Sequence, residues 1–348
     1  MGRVASTHRF PGLICAALLA TLACVPLASA KDKKEDKKAE KAAAEALLAK
    51  SRDLSNIEAP GSLPFVLNLK IHYQIETQSA DGQGQIIWLA PDHYREAFSA
   101  PKYFYTDIVR DGYRYLARTN DDMPLVMYEL QRTIERALGA GLAQKETIKN
   151  VAASEIAGPP LTCITFSDKT LFQRCITRDG DVAKMERHAP VPDILSERYE
   201  FDNFTALGVK RFPQTIVFRG GDDHVIRIDV QNFAAVKESP ARAFDPPTDS
   251  KKEAWCAQPK PAAADLQKEP LSLAIDPSQV MDAERSLASY HPSIYIEIGP
   301  NGHVRRGTVV RSSRPIESQN LKHWMSSMRF PILQCGRDGI EYQMELQF

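Results

Sequence analysis

The sequence predicts an α+β protein in two parts: a curled antiparallel sheet with a crossing helix, then a small ββαβ unit. Three observations predict it. From residue 63 apolar and polar residues alternate through one stretch after another, the period of half-buried strands. One stretch between them, "DMPLVMYELQRTIERALGAGL", carries helical spacing instead. Residues 291–348 read as hairpin, helix and closing strand.

The elements follow in chain order. Residues 1–30 have the form of a secretory signal peptide. Arg3 and Arg9 precede "FPGLICAALLATLACVPLASA", which ends on the small residues Ala28-Ser29-Ala30, with cleavage expected after Ala30. The alternative is an uncleaved anchor, because the run approaches bilayer-spanning length. "TLAC" at 21–24 also approximates a lipidation site at Cys24, with Thr21 where an aliphatic residue is usual. The expected location is the periplasm, with membrane association if the segment is retained or lipidated.

Residues 31–58 open with "KDKKEDKKAEKAAAEALLAK", whose interleaved charges at helical spacing suit a solvated helical tether. The β domain is expected over 59–247. In "FVLNLKIHYQIE", Phe65, Leu67, Leu69, Ile71, Tyr73 and Ile75 share one face of a long strand. Further strands are expected in "GQGQIIWLAPDHYREAFSA", "YFYTDIVRDGYRYLAR", "LTCITF", "FQRCITRDG", "DVAKMERHA", "RYEFDNF", "PQTIVFRG" and "HVIRIDVQNF". Turn chemistry at Asp81-Gly82, Asp111-Gly112, Asp179-Gly180 and Gly220-Gly221 separates them. In the helical stretch Leu125, Tyr128, Ile134 and Leu138 lie along one side, and glycines end it.

Proline, alanine and charge dominate the stretch after residue 247, which marks 248–290 as a linker. Trp255 and Cys256 are unusual in a free linker, so part of it is expected to pack on a domain. Beyond it, "SIYIEIGPNGHVRRGTVV" pairs two strands through Asn301-Gly302. Ile316, Leu321, Trp324, Met325 and Met328 then take helical spacing, "RFP" stops the helix, and "GIEYQMELQF" closes the chain as a strand.

Charge and cysteines bound the function. The 348 residues hold 44 basic and 44 acidic side chains, so nothing in the overall charge points to nucleic acid or another polyanion, and no nucleic acid is expected as partner. Loss of the signal leaves Cys163, Cys175, Cys256 and Cys335, an even set that in an exported chain reads as disulfides. Cys163 and Cys175 sit symmetrically about the turn at Lys169, which suits a cross-strand bridge. Cys256 then pairs with Cys335 by elimination. There is no CxxC and no HExxH, and the histidines are scattered, so neither metal nor cofactor is expected. No GxSxG, phosphate-cradling glycine loop or paired acid/base motif stands out, and the expectation is a non-enzyme.

Two resemblances sharpen this reading. A "GQG" turn, "PDHYRE", "RDGYRY", an inserted helix, "YEFDNFTALGVKRFPQTIVFRGGDDHVIRIDV" and a closing "AFDPP" follow in order over about 63–247. This segment resembles the LolA/LolB lipoprotein-carrier superfamily. The resemblance implies a half-open β-barrel whose apolar concave face, lidded by helices, holds acyl chains. Leu67, Leu69, Ile71, Tyr73 and Trp88 are the residues expected to line such a cavity, or, if nothing enters, to form an ordinary core. Residues 291–348 resemble the TonB C-terminal domain and its AgmX/PglI-like relatives. The matching pieces are Gly302, "VRRGTVVRSS", Trp324, "RFP" at 329–331, Gly339 and the apolar last strand. The opening is reduced to "YHP" at 290–292, and no Pro-Lys rod precedes it. This second resemblance implies contact rather than catalysis: strand addition to an outer-membrane or other envelope protein along Tyr342, Met344, Leu346 and Phe348. The expected function is an exported binding protein, holding lipid or lipoprotein in its first domain and docking through its second. The alternatives are a carrier whose C-terminal module is purely structural, and an energy transducer held by an uncleaved anchor.

Overall fold

The computed structural model describes residues 30–59, 61–75, 78–101, 103–119, 125–139, 147–154, 160–166, 171–188, 197–220, 224–236, 242–256, 260–261, 293–311 and 318–347. The chain divides into a short unit, Met1–Glu40, and a long one, Lys41–Phe348. Of the short unit only the opening of helix α1 (Ala30–Ser55) is described, and residues 36–40 are exposed there. The signal segment before Ala30 lies outside the described residues, as does Phe348. Among the described residues no helix is long and apolar enough to cross a membrane.

Thirteen strands of the long unit form one sheet. They are β1 (Phe65–Ile75), β2 (Gln78–Ala90), β3 (His93–Ala100), β4 (Tyr103–Arg110), β5 (Tyr113–Arg118), then, after helix α2 (Leu125–Ala137), β6 (Ile148–Ser154) and β7 (Leu161–Phe166). β8 (Leu171–Thr177), β9 (Val182–His188), β10 (Glu197–Leu207), β11 (Lys210–Gly220), β12 (His224–Ala235) and β13 (Lys251–Ala254) complete it. The order is β13-β5-β4-β3-β2-β1-β12-β11-β10-β9-β8-β7-β6, a meander in which β12 returns to pair with β1. The sheet is curled and unclosed.

Its register follows from the alternation. Leu69 stands opposite Gly84, Gly84 opposite Phe98, and Phe98 opposite Tyr105, so one row crosses four strands on the inner face. On the other side of β1 that face continues through Ile71, Ile228 and Ile216, all buried. A Cβ at Gly84 would stand 2.8 Å from the Phe98 ring, so glycine there lets the ring lie over the strand. The β4–β5 turn has positive φ at both Asp111 (54°) and Gly112 (76°), the backbone of a two-residue hairpin, as expected.

Both helices cover the inner face. Met127, Tyr128, Leu130 and Ile134 of α2 join the main core, as the spacing required. The tether expectation is corrected for the second half of α1: Ala44, Leu48 and Ser51 are buried, and Ile57 beyond the helix is 1% exposed. The run "AAAEALLAKS" places small and apolar residues on one side, and that side packs, while the charges stay outside.

Two further features differ from the sequence reading. Asp81-Gly82 is no turn; it lies inside β2, where a Cβ on Gly82 would meet the Ser99 carbonyl at 2.7 Å. β6 was not anticipated, because "IKNVAAS" is an edge strand with no buried residue and no clean alternation. Part of the expected linker packs on the sheet, as Trp255 and Cys256 implied: it contributes β13, pairing with β5, before leaving the described residues.

The C-terminal module begins as β15 (Ser293–Ile298), numbered after a short β14 (Lys260–Pro261). It continues through β16 (Val304–Arg311), α3 (Ser318–Ser327), β17 (Leu333–Cys335), β18 (Asp338–Gly339) and β19 (Tyr342–Gln347). β16, β15 and β19 form a three-stranded sheet in that order. Ile294, Ile296 and Ile298 face α3, burying Trp324 and Met328 between them. A Cβ on Gly307 would stand 2.3 Å from the Met325 sulfur, so that glycine sets how closely α3 approaches β16.

Candidate functional site: the seam between sheet and module

The period of two forces the other face of β15 toward the large sheet. Tyr295 enters the main core, its ring 4.5 Å from that of Tyr128. Glu297, 2% exposed, accepts two hydrogen bonds from Arg118 at 3.0 and 3.2 Å and one from Arg306 at 3.1 Å. Burial works against the Arg118 charge, and Glu297 beside it more than compensates, so the guanidinium is held above its ordinary value. Glu341, also nearly buried, is bridged by Lys251 of β13 at 3.3 Å and by Arg305. The module is therefore fixed to the sheet by ion pairs whose members come from both.

Along this seam lies a cavity of about 320 Å³. Glu96 and Asp107 face each other across β3 and β4 in its wall, where the alternation predicts apolar residues. Asp107 is closed off: Arg114 donates to both its oxygens from Nε at 2.9 Å, and the Tyr105 hydroxyl donates at 3.2 Å. Burial opposes the Arg114 charge and Asp107 outweighs it, so Arg114 is held well above its ordinary value. Among the described residues Glu96 has no such partner. Burial first, then Glu58, Asp107 and Glu135, push its carboxyl well above the usual range, against a smaller pull from Arg114. Glu58, from the turn after α1, is itself pushed up to about 7 by burial and by Glu135. No local pattern brings these acids together, because Glu58 follows α1, Glu96 and Asp107 lie in β3 and β4, and Glu135 lies in α2.

A second, apolar cleft opens where α2 crosses β1. Ile71, Tyr73, Phe98, Val126, Met127 and Leu130 border about 10 Å³ of free space, room for about one water. Of the five residues expected to line an open cavity, Leu67, Leu69, Ile71 and Trp88 are at most 3% exposed and belong to the core. Only Ile71 and Tyr73 reach the cleft. Trp88 stacks on Phe65 with ring centroids 5.6 Å apart. Of the two readings the sequence left open, the packing here is that of a core: α1 and α2 cover the inner face and join its cluster.

Tyr342, Met344 and Leu346 pack against the module's own core, so their side chains point toward α3 rather than outward. What β19 presents beyond the module is its backbone edge, since no described strand lies past it. Cys163 and Cys175 are direct register partners in β7 and β8 and are bonded, as expected. Cys256 and Cys335 are free thiols, a correction to the expected second bridge. They are neighbours nonetheless: a hydrogen bond with Cys256, then burial, pushes the Cys335 thiol up to about 11. Pairing of Lys260 with Gln334 brings these two segments together.

No protein-family model matches the chain, and no curated protein matches it. Among solved structures, it is similar to a LolA superfamily protein from Nitrosomonas europaea at 13% identity and a TM-score of 0.38, over 57% of this chain and 96% of that one. A DUF1329 family protein from Desulfovibrio piger matches at 7% identity and 0.42, over 58% and 96%. MucB matches at 11% identity and 0.32, over 83% and 98%.

Proposed function

We propose that this chain is an exported cell-envelope binding protein that takes an acyl chain, of a lipid or lipoprotein, between the inner face of its sheet and helix α2. The carrying observation is the apolar cleft at Ile71, Tyr73, Val126 and Met127, whose sheet side belongs to the apolar inner face that α2 covers. Its small volume means that the ligand enters by displacing the helical cover. The C-terminal module acts in this reading as a fixed wall, since Arg118–Glu297 and Tyr128–Tyr295 tie it to the sheet and to α2. The function is binding without catalysis.

Titration with the fluorescent fatty acid cis-parinaric acid tests it. The wild-type chain binds the probe, and Val126→Trp, which fills the cleft, weakens binding at least tenfold at unchanged fold. Glu96→Gln, in the polar cavity, leaves binding intact. A folded wild-type chain that binds no probe, or a Val126→Trp variant that binds equally well, overturns the proposal.

The unpaired edge of β19 favours a second reading, strand addition by an outer-membrane or other envelope protein. A photo-crosslinker at the exposed Gln343 should then join the chain to one such protein in cells. Failure to do so leaves the module a structural element.

A further inference from the structure

A groove of about 700 Å³ on the large sheet is lined mainly by outer-face residues, the strand face opposite the one that α2 covers. It runs across β12, β1, β2, β3 and β4. In one row Asn232 stands opposite Asn68, Asn68 opposite Gln85, Gln85 opposite Ala97 and Ala97 opposite Thr106. In the next, Gln83 stands opposite Ser99 and Ser99 opposite Phe104. The small side chains at Ala97 and Ser99 make the floor. The volume falls in the range of built ligand sites.

Arg95 is the exceptional member. Its Nη1 donates to Gln85 Oε1 at 2.7 Å, and Gln85 Nε2 in turn donates to Asn68 Oδ1 at 3.0 Å, so a relay of amides holds the guanidinium at the groove. Elsewhere on the sheet Arg114, Arg118, Arg211 and Arg227 each meet a carboxylate. Among the described residues none lies within ion-pair distance of Arg95. Burial alone acts on its charge, lowering its pKa. A half-buried cation without a counter-ion fits an anionic ligand. The surrounding amides and hydroxyls donate and accept in equal measure, which suits a hydroxyl-rich one. Phe104 is 40% exposed and offers a flat apolar ring beside them.

We propose that this groove binds an acidic polysaccharide, with a sugar carboxylate on Arg95, hydroxyls on the Asn68–Gln85 row and a sugar face on Phe104. The site is independent of the acyl-binding reading.

Calorimetric titration of the full chain with tetragalacturonate, beside neutral maltotetraose, tests it. The acidic oligomer binds and the neutral one binds at least tenfold more weakly. Arg95→Gln lowers affinity for the acidic oligomer about tenfold or more, the scale of one charge-assisted hydrogen bond. Phe104→Ala, at an exposed position, weakens both oligomers without altering thermal unfolding. No binding of tetragalacturonate, equal binding of the two oligomers, or an unchanged affinity in folded Arg95→Gln overturns the proposal. So does binding only to phosphatidylglycerol vesicles, which would assign the arginine to a phosphate headgroup.

Discussion

The large sheet has two seams on its inner side, and they are built from opposite chemistry. Against α1 and α2 the contact is largely apolar: Leu67, Leu69 and Ile71 meet Leu48, Met127 and Leu130 in one cluster, beside a polar contact between Glu129 of α2 and His224 of β12 at 3.1 Å. Against the C-terminal module it is largely polar: Glu297 with Arg118 and Arg306, Glu341 with Lys251 and Arg305, and a cavity walled by Glu96 and Asp107. A largely apolar seam gains free energy from area and tolerates sliding or lifting, because most of its contacts have no required direction. A buried ion-paired seam gains little net energy but accepts one geometry only. The first is suited to a cover that opens, the second to a wall that stays.

Breaking each seam gives the largest effects. Glu297→Ala leaves Arg118 buried beside a missing partner and should destabilise by about 3–5 kcal/mol, while Glu297→Leu combined with Arg118→Met should recover most of it. Leu67→Ala, fully buried on the apolar side, should lose about 2–5 kcal/mol with no such rescue. Denaturant unfolding of the three variants measures both. If the double variant is no better than the single, the polar seam does more than set geometry.

Oxidation should sharpen the comparison next. Joining Cys256 to Cys335 gives two protons and two electrons to an oxidant such as oxidised glutathione. The new bond would staple the linker to the module and stabilise the chain by about 3 kcal/mol. Intact mass and thiol labelling before and after oxidation decide whether the bond forms, and Cys335→Ser should abolish the gain.

The smallest effect is expected at Glu58. Its folded pKa, about 7 against an ordinary 4.5, means the folded chain holds a proton that the unfolded chain has released. Stability therefore falls as pH rises through that window and is lower above it. Glu58→Gln should flatten this dependence and stabilise the chain at pH 8 by on the order of 2 kcal/mol. A pH profile identical to wild type would show that Glu58 is not the group responsible.

The legible parts of the molecule are those fixed by neighbours in sequence. Alternation over Phe65–Ile75 specifies a strand and which face it buries, because successive side chains must point to opposite sides. Spacing about Tyr128 and Ile134 specifies α2. Symmetry about Lys169 specifies that Cys163 can meet Cys175. The failures have one cause. Gly82 was read as a turn because glycine usually is one, whereas here it answers to the Ser99 carbonyl of another strand. The linker became β13 because β5 offered a free edge to pair with, a fact no local pattern carries.

By itself, then, the sequence determined the element types, the inner and outer faces of the strands and the local cystine. Only the tertiary structure decided what lies against those faces. Leu67, Leu69 and Trp88 read equally well as cavity wall or core, since burial is the same demand in both; α1 and α2 made them core. Glu58, Glu96 and Glu135 act on one another through space, and the thiols of Cys256 and Cys335 meet through the β14–β17 pairing. Electrostatic and thiol contacts depend on distance in space, which the chain sets only once it has folded.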